Sequence, residues 1–469
     1  MKRILGIELR RSSALVIGLL FVVASLAMLY LMSGPWQNGS AEWTTEWTAS
    51  AMWQRYLLLF SWPFVLGAGA VQGLRDHRSG VGELMASVPK PRWHRIAVLC
   101  GAVGIGLGSG ALVTFLVGAV QVSFHGAYFS FGWLPILLVG LLALVASFWA
   151  GMAVASLAPY LLTPPLMTAF GFAAVILLLS TPGSGTVADG AVPYRVGLLS
   201  PAMNGPSDAF TTVAASVDVG QAVWFAGLGA TAFALLAARS VRGRLVALLP
   251  VLVGVAVALP ILPTDKATAY PVDADAAAPV CAEGLPKVCV TTVEQSLLST
   301  VAGPGRAALA LLAKLPDAPT SVQQTTVHQP QGGGVRYDPS TVPFDSNDYL
   351  WKPVSGLTPL TPEELKTSFL AGAGTRTCLG SREEWDQRYV RERAARTVAA
   401  AWLAGQYHPL PGRSAQYANA DVDRLGLSAW NALRALPEPE QLRRVMALRS
   451  AALRCDGDLL DVLASGGAR

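Results

Sequence analysis

Seven apolar runs dominate the first 262 residues and decide what this chain can fold into. They cover roughly Ser13–Met32, Tyr56–Val71, Ile96–Val122, Gly132–Leu157, Pro165–Ser180, Ala222–Ala238 and Leu245–Leu262. A bilayer core needs about 20 apolar residues per helix, within about 17–25. The whole chain is 52% hydrophobic and 14% charged, against about 25% charged in a soluble domain. The pattern predicts a polytopic membrane protein. The first run exceeds the ~7–15 residues of a signal-peptide core and is followed by no A-x-A-like site, so a retained first helix is expected.

Lysine and arginine set the expected orientation. With the N-terminus in the cytoplasm, inner segments carry Lys2, Arg3, Arg10, Arg11, then Arg75, Arg78, Lys90, Arg92, Arg95, then Arg239, Arg242, Arg244. The outer segments between runs carry Arg55 and Arg195 alone. This asymmetry follows the positive-inside rule. Seven crossings then place residues 264–469 outside. That part holds 21 Lys+Arg and 22 Asp+Glu, so the net charge of +5 comes from the membrane part. The basic balance reports orientation, not nucleic-acid binding. The expected location is the plasma membrane, multi-pass, in contact with the lipid bilayer.

Cysteine usage fits an oxidising compartment for the tail. Cys100 lies inside the third run, as a small packing residue. Cys281, Cys289, Cys378 and Cys455 all lie in the tail and allow three pairings. "VCAEGLPKVCV" reads as two short strands around a Gly-Leu-Pro turn, which favours Cys281–Cys289 and leaves Cys378–Cys455. A zinc site needs CxxC-like or Cys/His spacing, which is absent.

The rest of the tail reads as mostly helical. "TPEEL" carries a capping box at Thr361 and Glu364. "SREEW" repeats the signal at Ser381 and Glu384, before a helix with Val390, Ala394, Val398 and Ala401 on one face and Gly405 as its stop. A later helix, Glu440–Arg454, aligns Val445, Leu448, Ala452 and Cys455. Val293–Leu315 is helical with an expected interruption at Gly303-Pro304-Gly305. The fold class is therefore an all-α polytopic membrane protein of about seven transmembrane helices, residues 1–263. To it is joined a small, mostly helical, disulfide-bonded extracellular domain with a minor β element, residues 264–469.

Catalytic patterns are missing. There is no phosphate-binding Gly-x-x-x-x-Gly-Lys-Ser/Thr loop and no His-Glu-x-x-His, and no Gly-x-Ser-x-Gly elbow. The five histidines, His77, His94, His125, His328 and His408, show no ligand spacing. Glu383, Glu384 and Asp386 read as the acidic first turn of a helix. No enzymatic activity, cofactor or metal is expected. The apolar runs as bounded above contain no ionisable residue, so no ion or proton relay is evident. In "GAVGIGLGSG", the pairs Gly104/Gly108 and Gly106/Gly110 permit close helix approach, here favoured within the molecule over a dimer seam. Trp36, Trp43, Trp47 and Trp53 are expected to form an interfacial aromatic belt.

The segment "GLRDHRSGVGELMASVPKPRWHR", Gly73–Arg95, lies between the second and third runs. It reads as a short helix at the inner membrane surface, ended by Pro89. It resembles the inner-loop signature of ATP-binding-cassette permeases of the type-2 exporter class. Arg75, Arg78, Gly82, Glu83, Leu84, Met85, Ser87, Pro89 and Arg92 stand at matching positions. "GIELRRS", Gly6–Ser12, resembles that family's N-terminal surface helix. The resemblance covers about residues 1–240. It implies a coupling helix docking on a separate ATPase subunit, a second permease copy or homologue, and export of an amphipathic or apolar compound such as a peptide, antibiotic or lipid. The chain departs from the family in its seventh run, in its long tail, and in the short uncharged "APYLLTPP" between the fourth and fifth runs. The whole arrangement also resembles membrane proteins of high-GC actinobacteria. The alternative from a different class is a membrane-anchored sensor, immunity or assembly protein acting through its tail.

Overall fold

The computed structural model describes residues 14–32, 42–78, 92–124, 128–183, 188–206, 208–326, 338–346, 360–378, 385–411 and 419–466. They are mostly helical, 69% helix and 5% strand. They divide into two compact units between Asp273 and Ala274. The boundary falls ten residues beyond the end of the apolar part as read from sequence. The chain after the last apolar run folds back onto the first unit: Thr212 N donates to Pro271 O at 3.0 Å, Ala214 N to Ala269 O at 3.0 Å, and Asp273 N to Phe210 O at 2.9 Å.

In the first unit every apolar run is helical. Among the described residues the helices longer than four residues are α1 (Ala14–Leu31), α2 (Trp47–Tyr56), α3 (Leu58–Arg78), α4 (Arg92–Phe124), α5 (Trp133–Leu157), α6 (Thr163–Leu179), α7 (Ala215–Ala237), α8 (Val241–Val246) and α9 (Leu249–Ile261). Among the described residues, four stretches are long and apolar enough to cross a membrane: Trp93–Phe124, Trp133–Leu157, Ala215–Ala237 and Val241–Ile261, the last comprising α8 and α9. A fifth is the pair α2 and α3 if the two are one span, bent by 52°. The first and fifth runs form shorter apolar helices, Leu15–Leu31 and Thr163–Leu179.

Glycine makes the helix seams of this unit. The main packing pairs are α3 with α5 and α6, α5 with α7, α7 with α9, and α1 with α4. A methyl group added to Gly18 of α1 would strike the Gly106 carbonyl, and one on Gly110 would lie 2.8 Å from the Gly18 carbonyl. The Gly106/Gly110 pair thus seats α1 inside the molecule, while Gly104 and Gly108 face Val145 and Leu141 of α5 at 4.0 and 3.5 Å. A second seam, not singled out from sequence, has the same spacing. Gly69 and Gly73 of α3 meet the Phe148 and Met152 backbone of α5, and Gly151 meets Leu66. Without a hydrophobic drive between helices in lipid, such backbone contact is what holds them. Gly151→Leu is therefore expected to destabilise the unit by about 1–3 kcal/mol or more. Gly104→Ala, in looser surroundings, should be tolerated. Melting of the two variants in detergent separates these outcomes, and equal behaviour would remove the seam.

The second unit carries a four-stranded sheet, in the order β1 (Pro279–Cys281), β2 (Lys287–Thr291), β3 (Ser321–Gln324), β4 (Thr341–Phe344). β1 and β2 are antiparallel, with Cys281 opposite Cys289. The β2–β3 and β3–β4 pairs are parallel. The helices are α10 (Leu298–Leu312), α11 (Pro362–Leu370), α12 (Trp385–Ala404), α13 (Asn419–Arg434), α14 (Glu438–Arg454) and α15 (Leu459–Ser465). Val288, Val322 and Val342 of the sheet share one buried core with Leu312, Phe369, Val398 and Leu448.

Several expected elements have counterparts here. Thr361 and Glu364 form the full capping box of α11. Gly405, at φ +80°, ends α12. The interruption expected at Gly303–Gly305 does not occur. α10 runs through Pro304, and Gly305 lets the helix close onto Val288, whose Cγ2 would lie 3.0 Å from an added methyl. Ser381 and Glu384 lie outside the described residues. A left-handed turn at Gly372, Ala373 and Gly374, with φ of 60°, 60° and 77°, is held by two buried arginines. Arg449 Nε donates to Ala373 O at 3.0 Å, and Arg396 Nη1 donates to Arg376 O at 2.6 Å.

Candidate functional site

Two places in the first unit bear on function: the basic segment between α3 and α4, and a buried polar junction at the α2–α3 bend. In the first, Gly82, Glu83, Leu84, Met85, Ser87 and Pro89 lie outside the described residues. Arg75 is exposed on α3, Arg78 is the last residue of α3, and Arg92 is the first of α4. The side chains of Arg78 and Arg92 lie outside the description. The helices therefore run beyond their apolar parts to the ends of the segment 79–91. Gly6–Ser12 and Trp36 also lie outside the described residues.

The second place corrects the expectation of spans without ionisable groups. Arg55, taken from sequence as an outer-loop base, belongs to α2 and is 1% exposed. α7 begins at Ala215 and so includes Asp218, 6% exposed, and Gln221, 1% exposed. Continuous hydrophobicity starts at Ala222, but the helix begins two turns earlier. Asp218 and Gln221 stand three apart, one helical face. That spacing next to an apolar run was the available signal.

Arg55 joins four elements. Its Nε donates to Pro201 O at 3.0 Å, its Nη1 to Ile136 O of α5 at 3.2 Å, and its Nη2 to Gln221 Oε1 of α7 at 2.8 Å. Gly140 of α5 makes room for the guanidinium stem, since a side chain there would strike Arg55 Cδ. Gln221 in turn donates to Leu198 O at 2.7 Å and Ser200 O at 3.2 Å, and Trp224 Nε1 to Leu199 O at 3.1 Å. These bonds satisfy the carbonyls of the buried stretch Leu198–Pro201, which follows the short helical turn Tyr194–Gly197. Unpaired backbone groups there would cost several kcal/mol each in an apolar medium. Every acceptor of Arg55 is neutral. Among the described residues no carboxylate lies within ion-pair distance of it, and Asp218 acts on it only at longer range. Asp218 Oδ1 is itself buried without a hydrogen-bond partner.

Of the tryptophans expected in an interfacial belt, Trp43 and Trp53 are instead buried and Trp47 is half-buried. Trp43 is 0% exposed and Trp53 is 4% exposed. Trp43 meets Tyr30 edge-on at 5.1 Å, and Trp47 packs on Phe115, Phe129 and Trp133. Apolar partners are available for them inside the unit, which the sequence does not reveal.

Glu46 precedes α2 and caps it, its carboxylate accepting from Ala49 N at 2.6 Å. Burial pushes the Glu46 carboxyl up to about 7, against the opposing effect of the Thr48 and Ala49 backbone donors and with help from Asp273. A carboxyl raised in the folded state supports folding fully below its ordinary value of 4.5. That support is lost as pH rises through about 7. The loss amounts to about 3 kcal/mol at most. Glu46→Gln keeps the cap acceptor and removes the titration. The variant is expected to melt at higher temperature than wild type at pH 8 and to flatten the profile between pH 5 and 7. Identical profiles would contradict this assignment.

The second unit has both disulfides favoured by the sequence. Cys281–Cys289 bridges β1 and β2, and Cys378–Cys455, Cα atoms 5.3 Å apart, ties the chain before α12 to the end of α14. Beside the latter, Cys378 N donates to Glu392 Oε1 at 2.6 Å. Burial pushes the Glu392 carboxyl above its ordinary range, opposed by Arg396. Asp458 caps α15 and pairs with Arg391 at 2.5 Å. Glu294 accepts from Gln324 Nε2 at 2.6 Å and from Ser346 Oγ at 3.0 Å. Each of these carboxylates, Glu392 and Glu294 buried and Asp458 half-buried, is committed to backbone or side-chain donors, as structural groups are. Glu383 and Glu384 lie outside the described residues. Among the described residues no group of three His, Cys, Asp or Glu could hold a metal ion. Comparison with protein families, curated proteins and solved structures finds no match for this chain.

Proposed function

We propose that the chain is the membrane subunit of an ATP-binding-cassette exporter, coupling a separate ATPase to export of an amphipathic or apolar compound. The observation that carries this reading is the continuity of α3 to Arg78 and of α4 from Arg92. A coupling element must be joined without slack to two spans, so that motion of a partner moves both. α3 and α4 reach the two ends of residues 79–91, whose sequence resembles the docking helix of type-2 permeases. In this reading all seven helical runs cross the bilayer. A helix of 17 residues, such as α6, is about 26 Å long and meets the lower limit for spanning. The basic asymmetry then puts residues 79–91 in the cytoplasm and the second unit outside, where its disulfides persist. A second copy or homologue completes the translocator.

A membrane-anchored sensor, immunity or assembly protein is the competing reading. It is favoured by the separate core and two disulfides of the second unit. Purification of the detergent-solubilised chain decides between them. An ATPase of the cassette type should accompany wild type and be lost from Glu83→Arg/Leu84→Asp. Its absence from both preparations would sink the exporter reading and turn attention to the second unit.

A further inference from the structure

The α2–α3 bend borders a narrow pocket. Phe21 and Ser25 of α1, Gln54 and Arg55 of α2, Thr114 of α4 and Leu141 of α5 are among the residues around it. Half of the lining residues are aliphatic, and Ser25, Gln54, Arg55 and Thr114 are polar. Two of these polar groups are left short of partners. The Gln54 side-chain N–H2 is buried and has no acceptor. Arg55 is a fully buried cation whose three hydrogen bonds all go to neutral oxygens. A buried charge without an opposite charge at contact is costly, and an unmade buried hydrogen bond adds to the cost. Ligand sites have this composition: apolar walls with a few convergent polar groups that fix orientation.

We propose that this pocket binds a long-chain amphiphile with an anionic head. The head group accepts from the Gln54 amide and meets the Arg55 charge, and the chain lies along Phe21, Leu141 and their aliphatic neighbours. Asp218 is not among the lining residues, so it does not confront the head group across the pocket. The pocket has room for about one water molecule. Admission therefore requires α1 to part from the bend. α1 packs chiefly on α4 through its glycine seam and only lightly on α2 and α3, so this is the side that yields. The inference rests on the first unit being membrane-embedded and names a substrate class for it.

The test is saturable binding of radiolabelled palmitate to the purified full chain in nanodiscs of phosphatidylcholine. Unlabelled palmitate should displace the label, and hexadecanol and hexadecylamine should not. Gln54→Leu should weaken binding at least tenfold, and Leu141→Trp, which fills the pocket, should abolish it. Both variants leave the Arg55 bonds in place and are checked for wild-type melting first. Displacement by phosphatidylglycerol in the nanodisc would identify a bilayer phospholipid as the source of the head group. Failure of phosphatidylglycerol to displace would identify a free single-chain amphiphile. Equal displacement by hexadecanol, binding unchanged in both variants, or no saturable binding would each overturn the proposal. Palmitate binding without a co-purifying ATPase would keep this site and remove the exporter reading.

Discussion

Arg55→Leu is expected to destabilise the first unit by about 2–4 kcal/mol, the cost of leaving buried acceptors without their donor. The leucine fills the stem space beside Gly140 but leaves two acceptors, Pro201 O and Gln221 Oε1, without the Arg55 donor, and removes one of the bonds to Ile136 O. It also leaves Asp218 buried with no cation to offset it. The Ile136 carbonyl keeps its place in a helix, so the loss concentrates on Pro201 and on α7. Arg55→Lys keeps the charge but offers one ammonium in place of a planar fork, and should recover only part of the loss. Combining Arg55→Leu with Asp218→Asn should be less harmful than the two single effects added, by about 1 kcal/mol or more. Thermal melting in detergent reads all three. A wild-type melting curve for Arg55→Leu would show that the junction does not hold the unit together.

Loss of the Cys378–Cys455 bridge is the second large effect. It spans 77 residues of sequence, and closing a loop of that size in the unfolded chain stabilises the fold by roughly 4 kcal/mol. The Cys281–Cys289 bridge, with a separation of 8, is worth roughly 2.5 kcal/mol on the same scale. Cys378→Ser/Cys455→Ser should therefore cost the second unit more than Cys281→Ser/Cys289→Ser. The difference should be visible as earlier proteolysis and a lower melting temperature. The reverse order would mean that the hairpin bridge, not the long bridge, carries the stability of this unit.

How much of this was legible depended on the kind of signal. Helices in the first unit announced themselves by hydrophobicity, and all seven runs are helical. Their ends did not, because a helix end buried in protein can be polar. α7 starts seven residues before its apolar run, and there sit Asp218 and Gln221. Arg55 was misplaced for the same reason: α2 is a polar-looking helix, and its burial comes from neighbours distant in sequence, Ile136, Pro201 and Gln221. The Gly106/Gly110 pair announces an internal seam by its spacing; Gly69/Gly73 has the same spacing, but it sits in a stretch with fewer glycines and stands out less in sequence. In the second unit the hairpin and the Thr361 capping box were local and therefore readable. The parallel pairings of β2, β3 and β4 link segments more than 15 residues apart, and nothing in the strands specifies them.

The central claim is that residues 79–91 and the second unit lie on opposite sides of a membrane, the first facing an ATPase. Two single variants, Ser87→Cys and Thr300→Cys, carried in right-side-out vesicles and challenged with an impermeant maleimide, test it directly. Cys100 is buried and the other four cysteines are bridged, so the background is low. Labelling of Thr300→Cys in intact vesicles, with Ser87→Cys labelled only after permeabilisation, is the expected result. Labelling of both in intact vesicles, or protection of Thr300→Cys until permeabilisation, would contradict the account.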